Sequence, residues 1–403
     1  MHSIYPLCAG LHAAWITPWG WLCGHRPAVS VVAVRVTDVH TRLISGPAVP
    51  AAIAEVVLAG GPPVAVVADE ASVPPSWDLA HSPLEADAAV LVGTSGSTGE
   101  PKGVLLTADA IRASAQATHQ RLGGAGHWVC PLPLHYVAGL MTAARAAVVG
   151  TRISVVPSDL SELPLHEGRN YLSVVAAQLH RALDDPDAVA ALTSFDAVLV
   201  GGSAIPAPLL ARGREVGITL VATYGMAETC GGCVYDGVPL DGVRIDLETD
   251  ERITITADSV FSGYRLNPQA TAAALDFSGA GRTLRTHDRG RWSDRRLQVL
   301  GRLDDVVITG GINVDLGRAQ RAADAVFGPG AVVLLGVPDE RWGTVIAALT
   351  ELPLTVDDCR ARLAGRLEPS AIPRRLRRVA GLPRTSTGKI DRRSLRRLWA
   401  EGS

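Results

Sequence analysis

A chain of 403 residues is long enough for two or three domains, each with a buried core. Its composition of 47% hydrophobic and 19% charged residues, with a formal net charge of -2, excludes a disordered or fibrous protein and does not indicate a nucleic-acid partner. The six cysteines are too widely spaced for a disulfide framework.

The N-terminal segment is unusual because residues 1–24 contain no Asp, Glu, Lys or Arg. Prolines and glycines interrupt this apolar run, which makes it a poor membrane span, and it lacks the basic start of a signal peptide. We therefore expect a cytoplasmic protein without a membrane span. We also expect residues 1–36 to be a poorly ordered extension, or one included through too early a start codon, so that a chain beginning near Val36 keeps full activity.

Helical and strand patterns alternate through the next two hundred residues. A helix is expected from Ala51, and a second from Thr107 to Leu122 with Thr107 as its N-cap. Short apolar runs predict strands at 64–69, up to Val92, and at 127–131, 153–156, 172–175, 197–200 and 219–222. This order predicts a parallel sheet covered by helices, a topology that binds ligands at the carboxyl ends of its strands.

The segment Leu91–Val104, LVGTSGSTGEPKGV, runs from an apolar strand into a loop of Thr, Ser and Gly that ends in Lys102. Glycines allow backbone N–H groups to face an anion, while hydroxyls and a cation add charge-assisted hydrogen bonds. The loop is therefore expected to hold phosphate. It is not a Walker A sequence, because neither Ser nor Thr follows Lys102. A Gly/Ser-rich surface turn is the alternative.

Two further predicted strands end in residues suited to a nucleotide. One runs into Gly201-Gly202-Ser203, where a ligand can approach the backbone closely. The other ends in Tyr224-Gly-Met-Ala-Glu228, which supplies a ring that can stack and a carboxylate that can bind a metal. Together these features suit adenine and Mg²⁺, although each alone is a weak signal.

Lysine usage also marks candidate sites. Of 38 basic residues only Lys102 and Lys389 are lysines, so both positions are candidates for a role that needs a compact, flexible charge. Residues 360–403 carry a net charge near +10, which could contact nucleic acid, a membrane surface or a phosphorylated cofactor, although most such charge runs are solvated faces. Cys230 and Cys233 form a single C-x-x-C and are expected to be structural or pocket-lining thiols, since no second pair of zinc ligands is near.

Six segments together carry a resemblance to a known family. In order they are 94–103, Gly201-Gly202, 224–229, Asp288, 301–313 and 383–389. Their order and spacing resemble those of the adenylate-forming enzymes, which include acyl- and aryl-CoA ligases, peptide-synthetase adenylation domains and luciferases. Within that family, TYGMAETCGGCVYDGVPLDGV and SVVAAQL look most like the short actinobacterial form of 2-succinylbenzoate CoA ligase of menaquinone biosynthesis.

The resemblance implies an α/β fold with two domains. A large ATP- and acid-binding domain of parallel-rich sheets covered by helices would span residues 37–302. A small, mobile α+β domain would span residues 303–403 and rotate about a hinge at Asp304 after adenylation. That rotation would withdraw Lys389 and bring the Gly310-Gly311 loop to the site.

The resemblance also assigns roles to single residues. The β- and γ-phosphates of ATP would be held by Thr94, Ser95, Gly96, Ser97, Thr98, Gly99 and Lys102. Mg²⁺ would lie near Thr98 and Glu228; adenine would contact Gly202, Ser203 and Tyr224; ribose would bind Asp288 and Arg302. Lys389, Lys102 and Glu228 would be catalytic, and the acid pocket would include His135, Gln178, Thr229 and Gly231. By itself, His135 is more often a packed core residue.

The implied function is ATP-dependent ligation of 2-succinylbenzoate to CoA through an acyl-adenylate, with ATP, Mg²⁺ and CoA required. The basic tail then has a candidate partner in the phosphates of CoA. Three alternatives remain open: another aryl- or acyl-CoA ligase, an adenylation enzyme that loads a carrier protein, and a nucleotide-binding module without turnover. Whether the chain forms a homo-oligomer is also left open.

Overall fold

A computed structural model of the protein describes residues 41–94, 102–277, 281–384 and 390–401. The predicted extension at 1–36 lies outside the described residues. So do six of the predicted site residues: Ser95, Gly96, Ser97, Thr98, Gly99 and Lys389.

The strands and helices follow one another in the order expected for an α/β protein. The strands up to the middle of the chain are β1 (Arg42–Ile44), β2 (Val64–Val66), β3 (Val90–Thr94), β4 (Lys102–Leu106), β5 (His127–Cys130), β6 (Ile153–Val155), β7 (Asn170–Val175), β8 (Ala197–Gly201), β9 (Leu220–Met226), β10 (Gly231–Tyr235) and β11 (Val238–Pro239). The helices among them are α1 (Val49–Ala59), α2 (Ala108–Leu122), α3 (Val137–Val148), α4 (Ala176–Ala182), α5 (Pro186–Thr193) and α6 (Ala207–Glu215).

The second half of the chain is richer in antiparallel strands. Its strands are β12 (Arg244–Leu247), β13 (Arg252–Thr256), β14 (Gly263–Tyr264), β15 (Leu275–Asp276), β16 (Thr283–Ser293), β17 (Arg296–Arg302), β18 (Val306–Thr309), β19 (Ile312–Asp315), β20 (Val332–Asp339), β21 (Gly343–Thr350) and β22 (Arg375–Arg378). Its helices are α7 (Pro268–Ala274), α8 (Leu316–Phe327), α9 (Val356–Leu363) and α10 (Arg392–Glu401).

A seven-stranded sheet forms the centre of the first half, in the order β11-β10-β9-β8-β7-β5-β6. The strands from β6 to β9 are parallel, whereas β10 and β11 are antiparallel. The predicted parallel sheet is therefore confirmed. Strands β5, β7, β8 and β10 are mostly buried, as expected when helices cover both faces of a parallel sheet, whereas β9 is part-buried and the edge strands β6 and β11 are more exposed.

A second sheet, in the order β1-β2-β3-β4-β14, carries the predicted phosphate loop. Strands β3 and β4 are antiparallel, and Thr94 pairs with Lys102 at the end of this hairpin. The helix that follows begins as predicted, because the Thr107 hydroxyl accepts a hydrogen bond from the Ala110 N–H at 3.0 Å. Together these elements fix both ends of the loop.

A third sheet and two smaller ones make up the rest. Strands β12, β13, β16 and β15 pair in that order, and β17 pairs with β16. Strands β18 and β19 form a hairpin, and β20, β21 and β22 form a sheet against α8, α9 and α10. No helix in the described ranges is long and apolar enough to cross a membrane.

The cysteines in the described part of the chain are all buried and free. Burial raises the pKa of both the Cys230 and the Cys233 thiol to about 12, so neither is a thiolate at neutral pH. Buried, free thiols at these two positions agree with the prediction that they are structural or pocket-lining.

Candidate active site

The carboxyl ends of three neighbouring parallel strands bring the predicted adenine-binding residues together. Val175 on β7 pairs with Gly201 on β8, and Val200 on β8 pairs with Ala222 on β9. A Cβ atom on Gly201 would lie 2.3 Å from Thr223 Oγ1, so no side chain fits there. Gly202 has φ +81° and is exposed, as is Ser203, so the backbone that follows β8 is accessible to a ligand.

Tyr224, Asp288 and Arg302 form one hydrogen-bonded group. The Tyr224 hydroxyl donates to Asp288 Oδ2 at 2.8 Å, and Arg302 Nη1 donates to Oδ1 at 3.4 Å. Asp288 and Arg302 are paired across β16 and β17, so the hairpin register positions them. Burial raises the pKa of Asp288, although the Tyr224 hydrogen bond and the Arg302 charge oppose the rise. The structure thus unites the two predicted ribose ligands with a predicted adenine contact.

Arg302 connects this group to the predicted hinge. Its Nε donates to Asp304 Oδ1 at 2.7 Å and its Nη2 donates to Asp304 Oδ2 at 2.8 Å, which makes a bidentate pair. Asp304 lies in the short turn Leu303–Asp305, which Arg302 directly precedes. Burial acts to raise the pKa of Asp304, but the Arg302 hydrogen bond and charge outweigh it and lower that pKa. Any movement at Asp304 must therefore involve the arginine that also contacts Asp288.

Lys102, Tyr264 and Glu228 form a second group. Lys102 Nζ lies 4.9 Å from the centroid of the Tyr264 ring, and the Tyr264 hydroxyl donates to Glu228 Oε1 at 2.8 Å. Burial and the neighbouring carboxylate raise the pKa of Tyr264, so it stays a hydrogen-bond donor. Tyr264 was not predicted from the sequence. Its position between Gly263 and Arg265 in SGYRL, separated by two residues from the apolar pair Val260-Phe261, was the available signal.

Glu228 fits the predicted Mg²⁺ ligand. Its Oε2 makes no hydrogen bond with any described residue, so one carboxylate oxygen is open to a cation. No group of three or more His, Cys, Asp or Glu that could hold a metal lies within the described ranges. A single protein carboxylate is sufficient to bind Mg²⁺ when substrate phosphates and water molecules occupy the other positions of its octahedral coordination. The donor set therefore suits a metal that arrives with a nucleotide.

His135 and Gln178 lie near the same carboxyl edge with different surroundings. His135 is half-buried and its ring centroid is 4.2 Å from that of Tyr136; burial lowers its pKa. Gln178 is buried, accepts from the Val175 N–H at 3.0 Å and donates to the Ser158 carbonyl at 2.9 Å. Its amide thus supports the end of β7. Contact of either side chain with an acid stays a prediction.

Thr229 and Gly231 shape the turn after Glu228. The Thr229 hydroxyl is fully buried, accepts from the Met226 N–H at 2.9 Å and donates to the Gly231 carbonyl at 2.7 Å. Gly231 has φ +84°, and a Cβ atom on it would lie 3.6 Å from Arg145 Nη2 and 3.5 Å from Met141 Cγ. Gly231 therefore lies directly beside the Arg145 guanidinium.

Arg145 is the most unusual residue near the site and was not predicted. It is 4% exposed, and its Nε is buried without an acceptor. Among the described residues its guanidinium makes no hydrogen bond or ion pair; its contact is the Trp128 ring, 5.1 Å from Cζ. A lone charge in the apolar run VAGLMTAARAAV was the signal in the sequence. Because burying an unpaired charge is costly, such a cation indicates an anionic ligand.

The comparisons with known proteins agree with this arrangement. The family described as AMP-binding enzyme matches residues 26–263, more than half of the chain, and the AMP-binding enzyme C-terminal domain matches residues 330–389. The chain belongs to the AMP-binding enzyme family. The resemblance predicted from six segments of sequence is thereby confirmed.

Two relatives in this family have informative names. The chain is 41% identical over 341 residues to the probable 2-succinylbenzoate--CoA ligase of Mycobacterium tuberculosis, covering 79% of this chain and 86% of the relative. It is 29% identical over 340 residues to the 2-succinylbenzoate--CoA ligase of Enterococcus faecalis, covering 77% and 69%. The chain thus spans most of the length of both relatives.

Solved structures of the family share the fold. The o-succinylbenzoate CoA synthetase (MenE) of Bacillus subtilis in complex with ATP and magnesium matches with a TM-score of 0.72 at 23% identity, over 90% of each chain. The same enzyme with the acyl-adenylate intermediate matches with a TM-score of 0.68 at 24% identity, over 85% of this chain and 79% of that one. The predicted fold, a large α/β domain followed by a smaller one, is confirmed; the boundary at residue 302 stays a prediction.

Proposed function

We propose that the protein is an AMP-forming 2-succinylbenzoate CoA ligase. It converts 2-succinylbenzoate, ATP and CoA to 2-succinylbenzoyl-CoA, AMP and pyrophosphate, a step of menaquinone biosynthesis. The 41% identity with the Mycobacterium tuberculosis relative supports the reaction. Arg145 is buried and has no hydrogen-bond or ion-pair partner among the described residues, and this observation supports 2-succinylbenzoate as the acid substrate.

Arg145 suits a substrate with two carboxylates. One carboxylate of 2-succinylbenzoate reacts with ATP and the other remains an anion in the bound state. An anion placed beside Gly231 would pair with the Arg145 guanidinium and offset the cost of burying both charges. A monocarboxylic acid would leave the cation unpaired. Arg145 therefore selects for a dicarboxylic acid.

In the first half-reaction a substrate carboxylate oxygen bonds to the α-phosphorus of ATP as the bond to pyrophosphate breaks. Asp288 and Tyr224 position ribose and adenine, while Lys102 holds the leaving phosphates. Glu228 would hold Mg²⁺, which neutralises phosphate charge when bound. Lys389, outside the described residues, would stabilise the charge that develops at the α-phosphate. Positioning and charge neutralisation, rather than a general base, supply the catalysis.

In the second half-reaction the CoA thiol sulfur bonds to the acyl carbon, AMP leaves and the thiol proton is released. We propose that residues 303–403 rotate about Asp304 between the two steps, as the family resemblance implies. The Arg302–Asp304 pair would then hold the adenylation arrangement. Exposed arginines near the C-terminus, such as Arg366, Arg378 and Arg396, offer a cationic face to the CoA phosphates.

Asp304→Pro is expected to slow thioester formation at least tenfold more than adenylate formation. Proline fixes its own φ and restricts the preceding residue, so a backbone rotation at this position would be blocked. Stopped-flow measurement of pyrophosphate release, and of thioester formation from supplied acyl-adenylate, separates the two steps. Asp304→Asn, which keeps the backbone free, is the control. Equal losses in both half-reactions would refute the hinge.

A panel of acids tests the proposed function against its alternatives. Pyrophosphate release is measured for 2-succinylbenzoate and for simple aryl and acyl monoacids, followed by assay of each CoA thioester. We expect release and thioester formation to be greatest with 2-succinylbenzoate. Preference for a monoacid would indicate another CoA ligase, adenylate without thioester would indicate carrier loading, and no release with any acid would indicate a binding module.

A further inference from the structure

We infer that Trp128 is a positioning residue that holds the Arg145 guanidinium toward the acid pocket and so contributes to selection of a dicarboxylic acid. This inference rests on the proposed function. It extends that function from Arg145, which would contact the substrate, to the residues that support Arg145. Trp128 lies on β5 and His119 on α2, and neither belongs to the nucleotide groups described above.

Trp128 has a fixed orientation. Its side chain is fully buried, and its indole Nε1–H donates to His119 Nε2 at 3.1 Å. Its ring centroid also lies 5.2 Å from that of Tyr171. A buried indole N–H needs an acceptor, and His119 supplies one that fixes the rotation of the ring within the core.

His119 can accept this hydrogen bond because it is neutral. Burial, together with the charge of Arg145, lowers the pKa of His119 to about 4. A neutral imidazole carries one proton, and because the indole N–H donates to Nε2, that proton lies on Nδ1. Since His119 is also 4% exposed, solvent does not compete for this position.

The Trp128 ring supports Arg145. The guanidinium carbon lies 5.1 Å from the ring centroid, within the range of a cation–π contact, and no described residue gives it a stronger partner. Such a contact favours the cation without neutralising its charge. The guanidinium is thus held beside Gly231 yet remains free to pair with an incoming carboxylate.

Trp128→Leu removes the ring, and Trp128→Phe keeps an aromatic face but removes the N–H donor. We expect Trp128→Leu to raise KM for 2-succinylbenzoate about 30-fold, the size of a desolvated cation–π contact, while KM for ATP stays within about twofold. Trp128→Phe should show a smaller change in the same direction. Phe195→Leu is the control: it removes a buried ring from a core cluster that contains neither Trp128 nor Arg145.

The deciding measurement is a double-mutant cycle on substrate selectivity. Two monoacid analogues, 4-oxo-4-phenylbutanoate and 2-propanoylbenzoate, each lack one carboxylate of 2-succinylbenzoate. Selectivity is the kcat/KM for 2-succinylbenzoate divided by the kcat/KM for whichever analogue the enzyme activates. The Trp128 variants should lower this ratio in the wild-type background and leave it unchanged in an Arg145→Met background. Phe195→Leu should lower thermal stability and leave the ratio unchanged.

Two results would overturn the inference. In the first, the Trp128 variants keep the full wild-type selectivity; in the second, they lower it equally with and without Arg145, as a general packing defect would. Failure of the proposed function gives a different result, because the wild-type protein itself would then show no preference for 2-succinylbenzoate over the monoacids. Trp128→Phe keeps the test valid if Trp128→Leu does not fold.

Discussion

Arg145→Met is expected to raise KM for 2-succinylbenzoate about 100-fold, with little change in KM for ATP. Removing one partner of a buried charge pair costs at least about 2–5 kcal/mol, and about 2.8 kcal/mol corresponds to 100-fold. Steady-state kinetics with each substrate varied in turn measures the effect. Arg145→Lys, which keeps a charge but loses the planar donor group, should lie between wild type and Arg145→Met.

The same substitution should make the ligand-free protein more stable. Without substrate, Arg145 is a buried cation that no described residue neutralises, and methionine fills a similar volume without a charge. Thermal unfolding without ligands should therefore occur at a higher temperature in Arg145→Met. Arg212→Met is the control, since Arg212 is a surface residue paired with Asp184, and its loss should not raise stability. A less stable Arg145→Met protein with unchanged KM would contradict the assigned role.

Glu228→Gln is expected to reduce the rate of adenylate formation by about 100- to 1,000-fold, comparable to the loss of one charge-stabilising group at a reacting centre. Glutamine keeps the shape of the side chain but removes the charge that would bind Mg²⁺. The Mg²⁺ concentration for half-maximal rate should rise as well. Thioester formation from supplied acyl-adenylate should change only a few-fold, because that step breaks no phosphate–phosphate bond.

Tyr264→Phe provides the matched control for this effect. It removes the hydroxyl that donates to Glu228 Oε1 but keeps the ring under Lys102. A hydrogen bond to a charged group contributes about 1.5–3 kcal/mol, so a loss of roughly tenfold to 100-fold is expected, smaller than that of Glu228→Gln. If Glu228→Gln left both the rate and the Mg²⁺ dependence unchanged, Glu228 would not be the metal ligand.

Local sequence patterns were sufficient to predict strands β2, β3 and β5 to β9 and helices α1 and α2 in the first half of the chain. The hydroxyl of Thr107 caps α2, and the apolar runs at 172–175 and 197–200 lie within adjacent parallel strands. These features depend on short-range periodicity and on capping chemistry, which a single sequence displays directly. The candidate nucleotide-binding residues were proposed because their segments resemble those of the family.

Contacts between distant segments could not be predicted in the same way. The pairing of Asp288 with Arg302 depends on the register of β16 and β17, and the Tyr264–Glu228 hydrogen bond joins residues on β14 and in the turn after β9. Arg145 carried a signal as a lone charge in an apolar helix, but only the fold brings it beside Gly231 and Trp128. Whether a charged side chain is buried, and whether it then has a partner, depends on the tertiary structure.

A single-turnover experiment with 2-succinylbenzoate, ATP and Mg²⁺, first without and then with CoA, tests the central claim most directly. Rapid quenching and mass spectrometry follow the acyl-adenylate and the thioester. The proposed function predicts about one acyl-adenylate per protein molecule before CoA is added, and its conversion to 2-succinylbenzoyl-CoA and AMP afterwards. Absence of the acyl-adenylate, or its persistence in the presence of CoA, would contradict the claim.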